Sequence, residues 1–104
     1  MMNRDDALTA DLLKALIRVT GRVAIPPAQL REMIIPDAGK MKQLRAYNLC
    51  DGSRTQGEVQ KAAGIDAGSF SHTLKRWLER GIVFRIGDEK NLLHLYPMAE
   101  KEDK

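Results

Sequence analysis

The chain has one cysteine, Cys50, and two histidines, His72 and His94, in 104 residues. A single cysteine excludes an internal disulfide and any cysteine-based zinc cluster, and histidines so far apart offer no metal-ligand spacing. Long apolar runs are missing too. The longest, such as Leu12-Leu13 and Ile34-Ile35, fall far short of the ~20 residues that cross a bilayer. The opening Asn3-Arg4-Asp5-Asp6 lacks the basic segment and apolar stretch of an export signal. A reduced, cytoplasmic protein is expected, with no membrane contact, no metal and no cofactor. No nucleophile–base pair, paired carboxylates or phosphate-cradling glycine loop can be assembled, so no enzymatic activity is expected. The length allows one buried core but leaves no room for a catalytic domain beside a regulatory one.

The formal charge is only +3, yet it is unevenly placed. Residues 1–37 balance five bases with five acids, and the last seven carry two against three. The whole excess lies in residues 38–97, where ten bases meet six acids. Two readings of that block stay open: a face for a polyanion, or an ordinary solvated surface of mixed charge.

Apolar periodicity predicts the elements. Leu8, Leu12, Leu16, Val19 and Val23 recur at helical spacing, predicting a helix from about Arg4 to Thr20 that Asn3 caps and Gly21 ends. Pro26-Pro27 suits the entrance of a short helix to Ile34 burying Leu30, Met33 and Ile34, closed by Pro36. Asp37 opens a third helix, from about Ala38 to Cys50, with Met41, Leu44 and Tyr47 inward. Thr55-Gln-Gly-Glu58 fits a capping box for a helix to Ala63 that buries Val59 and Ala62, and Gly64 supplies a left-handed cap. Asp66 caps a longer helix from Ala67 to Arg80 with an apolar face of Phe70, Leu74, Trp77 and Leu78. The period then drops to two. Segments 82–86 and 92–96 read as a β-hairpin around Gly87–Asn91, with His94 an ordinary hairpin side chain, and Pro97 closes it. Residues 98–104 read as a disordered charged tail.

A short helix, the turn Gly64-Ile65-Asp66, a longer helix and an immediate hairpin is the order of a helix-turn-helix followed by a wing. The fold class expected is mainly α with a small β-hairpin: a winged helix-turn-helix over 37–97, preceded by an N-terminal helical extension over 1–36. On the helix over 67–80 the apolar stripe leaves Gly68, Ser69, Ser71, His72, Lys75, Arg76 and Glu79 facing outward. Serine and histidine can bond base edges or phosphates, while lysine and arginine suit phosphates and guanine edges. Cys50, beside Asp51 at a helix end, reads as a buried structural thiol and not a redox sensor.

The stretch from Thr55-Gln-Gly-Glu through Gly64-Ile-Asp-Ala-Gly-Ser-Phe-Ser-His to Gly81-Ile-Val resembles the winged helix-turn-helix family, in particular regulators of the MarR type. The resemblance covers roughly Met41 to Tyr96. It implies a transcriptional regulator that binds duplex DNA, with the helix over 67–80 in the major groove and the hairpin over 82–96 on the backbone or minor groove. It implies Ser69, Ser71, His72 and Arg76 at the groove, Arg54 and Lys75 near phosphates, and Arg85 and Lys90 on the wing. Within it, His72 stands where arginine is usual, and the wing turn carries the acids Asp88 and Glu89. The alternative is a winged-helix adaptor docking onto a larger protein. The apolar stripe of the first helix, Leu8, Leu12, Leu16 and Val19, is the expected contact of a homodimer, or else packs on its own core.

Overall fold

The computed structural model describes residues 4–35 and 41–99. They form α1 (Arg4–Ala24), α2 (Pro27–Ile34), α3 (Met41–Leu49), α4 (Gln56–Ala63), α5 (Ala67–Glu79) and the strands β1 (Val83–Ile86) and β2 (Asn91–His94). The protein is thus mainly helical with one small antiparallel sheet.

Local chemistry sets most of these limits. Pro27 occupies the first turn of α2, where its missing N–H costs nothing. Thr55 and Glu58 form the reciprocal capping box of α4: the Glu58 N–H donates to Thr55 Oγ1, and the Thr55 N–H donates to the Glu58 carboxylate at 2.9 Å. These bonds hold the Glu58 carboxyl below its ordinary pKa. At the other end Gly64 is left-handed with φ 69°, which suits a residue without Cβ. Two residues later the Ser69 N–H donates to Asp66 Oδ2 at 3.0 Å, capping α5. The β1–β2 register pairs Val83 with His94 and Ile86 with Asn91, and Gly87 to Lys90 close the turn.

A third, strand-like segment was not foreseen. The Gly52 N–H donates to Leu92 O, the Leu92 N–H to Arg54 O, and the His94 N–H to Cys50 O at 2.7 Å. Residues 50–54 therefore line β2 on its second edge and leave β1 as the open one. Leu92 to Tyr96 are all buried where alternation had been expected: Leu92, Leu95 and Tyr96 join the core, Tyr47 of α3 stacks on His94, and α1 lies against Leu95 and Tyr96 at Gly21.

One core joins the elements. Tyr47, Trp77 and Phe70 meet edge to face, with ring centroids 5.7 Å and 6.0 Å apart. Leu30 and Ile34 of α2 belong to the same cluster as Leu44, Val59, Leu74, Ile82 and Leu92. The division anticipated between 36 and 37 lies outside the described residues, but α2 on its near side shares this core.

Several expectations are corrected. Gly21 does not end α1: the helix continues to Ala24, and Gly21 is buried inside it. A Cβ there would stand 3.2 Å from Leu95 Cβ, so glycine lets α1 approach the end of the hairpin. Ala63, not Ala62, faces the core on α4, because the helical phase set by Val59 reaches i+4. Met41 is exposed at the start of α3, and Met33 is half-buried. Residues 98 and 99 are held and not part of a loose tail. The Asn48 side-chain amide donates to Met98 O at 2.7 Å and accepts from the Met98 N–H at 2.8 Å, while Arg31 donates to Ala99 O. The Asn3 cap, the Pro36 stop, the Asp37 start and residues 100–104 lie outside the described residues.

Candidate nucleic-acid interface

The face in question begins with how α5 is seated. Phe70, Thr73, Leu74 and Trp77 are buried, and their spacing fixes the rotation of the helix about its axis. Turned away from them are Gly68, Ser69, Ser71, His72, Lys75 and Glu79, all exposed. At about 100° per residue, Gly68, His72, Lys75 and Glu79 run along the crest, with Ser71 on one shoulder and Ser69 on the other. Small residues at the N-terminal end of the crest let the backbone itself approach a partner, and the longer cation sits one turn further along.

Arg76 does not join this face. Its guanidinium donates Nη2–H to Ile34 O at 3.1 Å and so caps the C-terminal end of α2, while its Nε is buried without a partner. A cation at a helix C-terminus is electrostatically favoured, which explains why the side chain folds back toward α2. In this structure Arg76 fastens α5 to α2. Arg54 is likewise engaged, donating to Asp51 Oδ2 at 3.1 Å and to Leu49 O at 3.3 Å at the end of α3. Its side chain remains 37% exposed.

On the hairpin, Arg85 is exposed on β1 and reaches back to Gln56 Oε1 at 3.4 Å, linking the strand to the start of α4. Lys90 is exposed in the turn with φ 57°, next to Asp88 and Glu89. The turn thus presents one cation with two acids, a net negative charge that opposes a polyanion. Arg80 was not singled out from sequence. It is exposed one turn beyond Arg76 and lines a cleft with Gln29, Glu32, Met33 and Arg76. The i, i+4 spacing of the two arginines is the signal that could have placed it.

Two titratable groups beneath the sheet are structural. Burial and the neighbouring Asp51 push the Cys50 thiol up to about 12, and the thiol donates to Ala46 O at 3.3 Å. His94, expected as an ordinary hairpin side chain, is buried and stacks on Tyr47 with centroids 5.2 Å apart. Burial lowers its pKa, and nearby Arg18 adds to the effect against an opposing pull from Asp51. The reason is tertiary: the Tyr47 ring of α3 covers His94, and α1 brings Arg18 near it.

Among the described residues no group of three His, Cys, Asp or Glu side chains could hold a metal ion. No helix among them is long and apolar enough to cross a membrane. Comparison with known proteins found no matching family model, no matching curated protein and no matching solved structure.

Proposed function

We propose that this chain is a winged helix-turn-helix regulator that binds duplex DNA, similar to the MarR type, with α5 in the major groove and the β1–β2 hairpin as the wing. The observation that carries the reading is the outer face of α5. Its core side is fully sealed by Phe70, Thr73, Leu74 and Trp77, while Ser69, Ser71, His72 and Lys75 are exposed on the other side. An α-helix presenting short donors and one cation, with Gly68 near its N-terminus, fits the width and chemistry of a major groove. Lys75 on α5 and Arg85 on β1 then hold phosphates, whereas Ser69, Ser71 and His72 read base edges; Lys90, outweighed by Asp88 and Glu89 beside it, adds little. Arg54 contributes with the exposed part of its side chain.

The adaptor reading rests on a different surface, the exposed apolar side of α1, which DNA does not need. The test is a mobility-shift titration on random and selected duplexes over a salt series. Log K should fall linearly with log salt, and Lys75→Ala should flatten the slope by about 0.9, the share of one phosphate contact. His72→Ala and Ser69→Ala should relax sequence preference with little change in slope. A chain that shows no salt-dependent retention on any duplex is not a DNA-binding protein, and the adaptor reading then takes precedence.

A further inference from the structure

Six of the eight large apolar side chains that are exposed among the described residues lie on α1: Leu8, Leu12, Leu13, Leu16, Val19 and Val23, from 56% to 81% exposed. The opposite side of the same helix is the packed one. Ala10, Lys14, Ile17 and Gly21 are at least partly covered, with Gly21 set against Leu95 and Tyr96 and the Lys14 chain beside Gly52. The apolar stripe is therefore not a core face of this chain.

We propose that two copies of the chain pair through α1, antiparallel about a two-fold axis near Ala15 and Leu16. The register follows from the stripe itself. Leu8 faces Val23 of the second copy, Leu12 faces Val19, and Ala15 faces Leu16, so an apolar seam about 22 Å long is filled from end to end. The orientation follows from the two flanks of the stripe. One flank carries Asp11, Arg18 and Arg22. The other carries Leu13, Thr20 and Ala24, and opens into an apolar groove that Phe84 and Leu95 also line.

In an antiparallel pair each flank meets its own counterpart. Apolar flank then lies on apolar flank, and Asp11 of each copy falls level with the span from Arg18 to Arg22 of the other, twice per dimer. Arg22 is partly committed, lying 4.7 Å over the Tyr96 ring, which leaves Arg18 as the main partner of Asp11. A parallel pair would instead set Asp11 level with Asp11 and press the charged flank against the groove. The surface also suffices: six such side chains offer roughly 500 Å² of apolar area per copy, most of the ~800 Å² per partner of a standard interface. A patch of that size lies within the range of the largest apolar patches on monomers, which are often interaction sites.

The proposal does not depend on nucleic acid, and its test uses the full chain alone, by sedimentation equilibrium with circular dichroism. The parent should be a dimer at micromolar concentration, and Leu12→Glu with Leu16→Glu should give a folded monomer. Asp11→Arg or Arg18→Asp alone should weaken the dimer about tenfold, since two attractive pairs become repulsive. The two together should restore it to within about threefold of the parent, as expected for directly coupled sites. A parent that stays monomeric into the submillimolar range overturns the proposal. So does unfolding of the double-glutamate chain, or a charge exchange that fails to rescue. Loss of DNA binding with an intact dimer would leave it standing and strike the functional reading only.

Discussion

Removing one oxygen from Tyr47 tests how the hairpin is anchored to the helices. The Tyr47 hydroxyl donates to Tyr96 O at 2.9 Å, and the Tyr96 N–H approaches the same oxygen at 3.5 Å, all of it buried. Tyr96 in turn donates its own hydroxyl to Ile25 O at 2.6 Å, so a chain of bonds runs from α3 through the end of the hairpin to the end of α1. Tyr47→Phe keeps the ring contacts with Trp77 and His94 but leaves the Tyr96 carbonyl buried and unpaired. An orphaned buried acceptor costs about 1–3 kcal/mol, more than the ~1 kcal/mol net worth of an ordinary hydrogen bond. About 2 kcal/mol is expected, and in a domain of this size that lowers Tm by roughly 8–16 °C. Thermal and urea unfolding followed by circular dichroism would measure it. The m-value should be unchanged, because the same surface is exposed on unfolding. A loss below about 0.5 kcal/mol would show that water reaches the Tyr96 carbonyl and that the anchor is not dry.

His94 and Cys50 supply the remaining predictions. His94 has its pKa lowered by burial, so the unfolded chain takes up the proton first as pH falls below the ordinary histidine value of about 6.5. Its contribution is complete above that value and is lost as pH falls below it, with a slope of up to about 1.4 kcal/mol per pH unit. His94→Leu should flatten the pH dependence of Tm between pH 7.5 and 5, and an equally steep fall in the variant would assign the dependence elsewhere. Cys50, with a thiol held at about 12, should resist peroxide and thiol reagents in the folded chain and react only on unfolding. Mass spectrometry after mild oxidation checks this, and rapid modification of the native protein would make the thiol a sensor after all.

How far the sequence could be read depended on whether the signal was local. The capping box at Thr55 and Glu58, the left-handed Gly64 and the Asp66 cap were all legible, because each is settled within four residues by backbone chemistry. So was the core face of α5, whose large apolar side chains leave little choice of phase. What escaped was non-local. The pairing of residues 50–54 with β2 has no signature in Asp51-Gly52-Ser53, and neither does the packing of α3 and α1 that buries His94 and Leu95. The role of Arg76 escaped for the same reason: helical phase placed it outward, and only the end of α2, 42 residues away in sequence, turns it back.

The first helix shows the same limit from the other side. Periodicity identified its apolar face correctly and could not say what that face meets. The stripe that α1 uses against its own chain is inconspicuous by hydropathy: Ala10, Lys14, Ile17 and Gly21 include one large apolar residue and one charged one. Such a stripe works because the contact is a close one. Gly21 admits the backbone to Leu95, and the end of the Lys14 side chain, Cε and Nζ, lies against Gly52. A helix held by small residues, Ile17 and a lysine end needs no leucines on that side, and the leucines on the other side add nothing to the stability of one chain while they face water. Their helical spacing over four turns therefore needs a reason outside the single chain. The antiparallel pairing proposed above supplies one from residues already present, without a further partner of unknown chemistry.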